Sequence, residues 1–159
     1  MQLRLVTACL FAALLAAPAA AQTPPDDGPA WVFLVGTWAC TVSNVSTPVM
    51  VTYARGPRDA SYTQHVSAPL ANGTAYTADG WISYDPSAKR WVYIATGNVG
   101  DYTVATSPGW RENVLVLTDV LSTGGGTGGT TTFKKLNDTT VDATSVQPSG
   151  TVLQHCAKK

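Results

Sequence analysis

The sequence predicts an all-β protein, an antiparallel up-and-down meander of about 9–10 strands closed into a barrel, with a β-sandwich as the alternative. Three observations predict it. The chain of 159 residues carries 22 Thr and 17 Val, residue types that fit a pleated, half-buried surface. It carries one Glu, Glu112, and only 13% charged residues, whereas helical surfaces use Glu and Lys freely. Apolar alternation of period two recurs between short turn signals, with no long helical period and no βαβ unit. At 45% hydrophobic the chain can bury a core.

Residues 1–21 read as a signal peptide. Arg4 supplies the positive start, Leu5 to Ala17 an apolar run, and Pro18 with Ala19-Ala20-Ala21 a small-residue cleavage site. The run falls short of the roughly 20 apolar residues a transmembrane helix needs, and no later stretch approaches that length. Cys9 belongs to this leader. Residues 22–29, with three prolines and two aspartates, read as a disordered linker, and 30–157 as the β-barrel domain.

Within that domain, Ala30 to Val35 is expected to form one helical turn, ended by Gly36. Thr37–Val45 alternates with Trp38, Cys40 and Val42 on one face. Val49–Ala54 follows Pro48, and Ser61–Ser67 follows the Arg55-Gly56-Pro57-Arg58 turn. Asn72-Gly73 is a hairpin signal. Thr74–Tyr84 reads as one long strand with a bulge at Gly80, because a turn at Asp79-Gly80 would leave too short a remainder. Arg90–Thr96 sets Trp91, Tyr93 and Ala95 against Val92, Ile94 and Thr96, and the pattern leaves open which face looks inward. Tyr102–Thr106, Asn113–Val120, Thr130–Leu136, Thr140–Val146 and Thr151–Cys156 complete the series, with Lys158 and Lys159 beyond the last strand. Short links join antiparallel neighbours, and a meander this long must close or split to protect its edges.

Two cysteines, Cys40 and Cys156, remain beyond the leader. In an exported chain they are expected to pair, tying the first strand to the last. Neither has a second ligand at zinc spacing, and no metal site is expected.

Leu34-Val35-Gly36-Thr37-Trp38 opens the first strand after a short turn. This resembles the opening of lipocalin-like barrels in the broad calycin sense, closest in character to bacterial exported lipocalin-like domains of unknown function. The resemblance covers Ala30 to Cys156 in architecture and three residues in motif. It implies that Gly36 permits the turn and that Trp38 plugs the closed end. More distantly the chain resembles nitrobindin-type haem barrels, which open with a similar Gly-Thr-Trp; that resemblance implies a haem-ligating His near the last strand, here His155.

The balance of ten basic and ten acidic residues gives no footprint for nucleic acid or anionic lipid. No Gly-x-Ser-x-Gly elbow appears, and Gly124 to Gly129 lacks the Lys-Ser/Thr of a phosphate loop. That glycine segment is instead a candidate gate at a barrel mouth. Asp101 and Glu112, beside Tyr102 and Trp110, could perturb each other only if they converged. What remains is aromatic. Tyr62, Tyr76, Trp91, Tyr93 and Tyr102, with His65, are the candidate ligand-binding residues, because barrel strands point alternate side chains inward. The expected function is non-catalytic binding of a small hydrophobic molecule inside an exported barrel, periplasmic or extracellular. A packed interaction or structural module with an unknown protein partner and a haem-binding barrel are the alternatives.

Overall fold

Alternation stops at each cluster of Gly, Pro, Asn or Asp, and the strands stop there too. A computed structural model of the chain describes residues 31–58, 60–70, 72–123 and 126–159. The leader at 1–21 and the linker at 22–29 lie outside the described residues. The strands are β1 (Gly36–Val42), β2 (Val49–Arg55), β3 (Ser61–Pro69), β4 (Ala75–Asp85), β5 (Arg90–Gly97), β6 (Tyr102–Ser107), β7 (Val114–Ser122), β8 (Thr130–Asn137), β9 (Thr140–Gln147) and β10 (Gly150–Lys158). Each pairs antiparallel with its sequence neighbour, and β1 pairs with β10, so the sheet is a closed barrel rather than a sandwich. Closure leaves no edge for another chain to extend. No helix among the described residues is long and apolar enough to cross a membrane.

Closure rests on the register at the seam. Cys40 lies opposite Cys156, their Cα atoms 4.0 Å apart, and the two are joined by a disulfide. Both point inward and are buried. His155, one residue away, points outward, as the two-residue period requires. The disulfide suits an oxidising, extracytoplasmic compartment.

Three local readings are corrected. β1 ends at Val42 rather than Val45, where a turn bonds the Val45 N–H to the Val42 carbonyl at 3.1 Å. Gly80 is not a bulge: Gln64–Gly80 and Gly80–Ala95 continue the registers of both neighbours without a shift. It is glycine because Gln64 and Tyr93 close over it; a Cβ there would sit 3.0 Å from Gln64 Oε1 and 3.1 Å from a Tyr93 ring carbon. Register shifts occur instead between Val104 and Ala105, opposite β7, and between Lys135 and Asn137. Finally, Lys158 belongs to β10 instead of trailing it.

Strand alternation assigns an end to every connection. Those after β2, β4, β6 and β8 gather at one end with the Trp31–Val35 turn, which is held by Leu34 and Val35 N–H groups bonded to the carbonyls of Trp31 and Val32 at 3.1 Å. Those after β1, β3, β5, β7 and β9 gather at the other. The first end is closed and the second is the mouth.

Candidate functional site

The floor of the barrel is aromatic. Trp31, from the turn before β1, stacks against Tyr62 at 5.9 Å and meets Trp91 at 4.8 Å and Trp110 at 6.1 Å between ring centroids. Phe33 contacts Trp110 and Trp38 edge-on at 5.4 and 5.9 Å. Aromatic rings favour tilted and edge-to-face contacts, and these add to their area burial. Trp38 donates its indole N–H to the Leu34 carbonyl at 2.7 Å, which fixes the turn to the first strand. Gly36 has φ 127°, open to glycine, and a Cβ there would meet Lys158 Cε at 2.9 Å. Lys158 crosses this gap. Its ammonium donates to the Phe33 carbonyl at 2.8 Å and lies 5.3 Å from the centre of the Trp38 ring. The Lys158 ammonium thus makes a cation–π contact with Trp38.

Above the floor the interior is hollow. A cavity of about 420 Å³ runs toward the mouth, within the range of small-molecule sites. Its lower wall is apolar, with Val51, Ile82, Leu115, Leu117, Phe133 and Val141. A polar belt crosses it midway. The Tyr93 hydroxyl donates to Gln64 Oε1 at 2.7 Å, and Gln64 Nε2 donates to the Tyr53 hydroxyl at 2.8 Å. Burial pushes the Tyr53 phenol up to about 12 against the Gln64 bond, and it drives Tyr93 higher still, helped by the charges of its neighbours.

The upper wall is the more polar. The Tyr76 hydroxyl donates to Asp101 Oδ2 at 2.6 Å, and burial, that bond and the Asp101 charge raise Tyr76 to about 12. The other carboxyl oxygen of Asp101 is buried with no hydrogen-bond partner. On β7 to β9, Gln147 donates to Asp119 Oδ2 at 2.8 Å, and Thr131 and Ser145 share a bond of 3.0 Å. Asp119 is only 6% exposed. Glycines make room for both acids, since a Cβ at Gly97 would collide with the Asp101 carboxyl and one at Gly129 with the Asp119–Gln147 pair. Gly128 and Gly129 also bond to the Asp119 backbone. Gly124 and Gly125 of the same segment lie outside the described residues.

Of the residues singled out in the sequence, Tyr76, Tyr93 and Tyr102 line the cavity. Tyr62 and Trp91 face inward but are spent in the packing of the floor. The inward face of β5 is thus Trp91, Tyr93 and Ala95. His65 stands on the outer wall, 2.7 Å from Asp79, and takes no part in the cavity. His155 is likewise outside, 2.6 Å from Asp142, with 59% of its side chain exposed. The residues do not fit a haem: neither histidine reaches the interior. Among the described residues, no group of three or more His, Cys, Asp or Glu could hold a metal ion. Asp101 and Glu112 do not converge, because they follow β5 and β6 and so occupy opposite ends. Tyr53 was among the strand aromatics visible in the sequence, but Gln64 and Asp119 were not candidates, although each sits at a two-residue step from an inward apolar neighbour.

On the outside, Trp81, Ile94, Val104 and Leu121 are directly paired across four strands, and Trp81, Ile94 and Leu121 are about half exposed. No protein-family model and no curated protein matches this chain.

Proposed function

We propose that this chain is an exported, non-catalytic binding protein that holds a small hydrophobic molecule inside its barrel. The cavity carries this reading: about 420 Å³, apolar below, with a few placed polar groups above. The polar groups do not form a nucleophile, a base and an orienting partner. Three phenols of the cavity, Tyr53, Tyr76 and Tyr93, have raised pKa values, which makes them hydrogen-bonding groups at neutral pH rather than proton acceptors. The Cys40–Cys156 disulfide supports export. The exposed apolar row through Trp81 supports a module for protein contact, but that reading asked for a filled interior.

A neutral fluorescent apolar probe, N-phenyl-1-naphthylamine, tests it. The probe should brighten on binding the protein with 1:1 stoichiometry. Ala105→Trp should abolish the signal while the fold is retained by circular dichroism, because Ala105 is 1% exposed and its side chain faces the cavity. Undiminished binding in that variant would place the probe elsewhere and overturn the reading.

A further inference from the structure

The cations of this molecule are confined to one end of the barrel, while its acids occupy both. Every Lys and Arg from residue 31 onward lies toward the closed end. Arg55 and Arg58 flank the β2–β3 connection, Lys89 and Arg90 the β4–β5 connection, and Arg111 follows β6. Lys134 and Lys135 occupy the half of β8 that pairs with the start of β7, and Lys158 and Lys159 end the chain over the floor. The mouth half has no Lys or Arg. It has Asp101 and Asp119 facing inward, and Asp79 outside beside His65.

Inside, the imbalance is complete. Among the described residues, Asp101 and Asp119 are the only acidic residues lining the cavity, and no Lys, Arg or His lines it. Each carboxylate is held by a neutral donor, Tyr76 or Gln147, and neither has a cation. Buried carboxylates are normally matched by a positive group, since an uncompensated charge in a low-dielectric site is costly. Here the described residues supply none.

Building on the reading of the cavity as a ligand site, we infer that its ligand is a cationic amphiphile, a small molecule with an apolar body and one protonated amine. The body lies on the Leu115, Leu117 and Phe133 side of the cavity. The ammonium sits at the level of Asp101 and Asp119, where its N–H groups meet carboxylate oxygens in charge-assisted hydrogen bonds. Tyr76 and Gln147 orient the two acids for it. The confinement of Lys and Arg to the closed end serves the same end, because a mouth with acids and no cations draws positive ligands and repels anionic ones.

Isothermal titration of the whole protein at pH 7 with octylammonium, 1-octanol and octanoate tests this, the three sharing one tail. Octylammonium should bind at least tenfold more tightly than octanol, and octanoate most weakly. In Asp101→Asn/Asp119→Asn, the ratio of octylammonium to octanol affinity should fall to near one. Octanol or octanoate binding as tightly as octylammonium to the unaltered protein would overturn the inference and leave the apolar site standing. Survival of the preference in the double variant would overturn the role of these two acids. Failure of all three ligands and of the neutral naphthylamine probe would remove the site itself, and the inference with it.

Discussion

Reducing the Cys40–Cys156 disulfide should destabilise the barrel by several kcal/mol. The bridge spans a sequence separation of 116. The chain-entropy relation then gives a loss of about 16 cal/mol/K from the denatured ensemble, or about 4.8 kcal/mol at room temperature. That is an upper figure, and about 2–5 kcal/mol is the working expectation. The bridge is well placed to deliver it, because it joins the one strand pair, β1–β10, that is remote in sequence. The assay is urea unfolding of the unaltered protein, oxidised and after reduction with a phosphine. Reduced wild type is a cleaner comparison than alanine variants, since Cys40 and Cys156 are 1% and 8% exposed and their removal would also leave a packing defect. With a urea slope of about 2 kcal/mol/M, the midpoint should move down by roughly 1–2.5 M. The slope itself should rise on reduction as the denatured chain expands. Coincident midpoints would refute the argument and mean that the seam persists in the denatured ensemble without its bridge.

Alkaline pH should weaken the fold. Tyr53 and Tyr76 titrate near 12 in the native state against 10.0 for a free phenol, so between those values the unfolded chain binds fewer protons and stability falls as pH rises. The fully buried Tyr53 contributes a slope of about 1.4 kcal/mol per pH unit above 10, and Tyr76, nearer water, less. Urea midpoints measured at pH 9 to 11.5 should fall, less steeply in Tyr53→Phe; a flat profile would be the contrary result. Gly80→Ala should cost about 1–3 kcal/mol by prising Gln64 from Tyr93, and an unchanged melting temperature would show that the pair yields freely. Trp31→Ala should cost about 3–5 kcal/mol while enlarging the cavity, so that thermal stability drops as longer-tailed ligands gain affinity.

The fold was legible because two-residue alternation is written in the side chains themselves. Trp38, Cys40 and Val42 announce both a strand and its buried face, and Asn72-Gly73 announces a turn. Gly80 misled because a missing side chain has two physical causes, a bent backbone and a crowded neighbour, and only the partner strands decide between them. Lys158 misled because the last strand runs two residues past its final buried side chain to reach Phe33. The site was half legible. Aromatic residues on strands were visible, but depth along the barrel axis is not a property of one strand. Tyr62 and Tyr76 look alike in sequence, yet one lies in the floor and the other by the mouth. Asp119 carried no signal in the sequence, because its partner Gln147 arrives only from β9.

The floor of this barrel is only partly made by its sheet. Trp31 and Leu34 come from the turn that precedes the first strand, and both reach the bottom of the cavity. Wall and floor are therefore separable inheritances. The wall is fixed by a ring of registers in which any slip would turn ten strands inside out. Trp31 and Leu34 answer to no register, only to volume and to the anchorage of their turn by Trp38 and Lys158. Exchanging Trp31 or Leu34 for a smaller or larger side chain would lower or raise the floor without touching a ladder bond. Ligand length can then drift among descendants of this chain while the barrel that encloses it stays the same, so divergence in specificity should concentrate in the five residues ahead of Gly36.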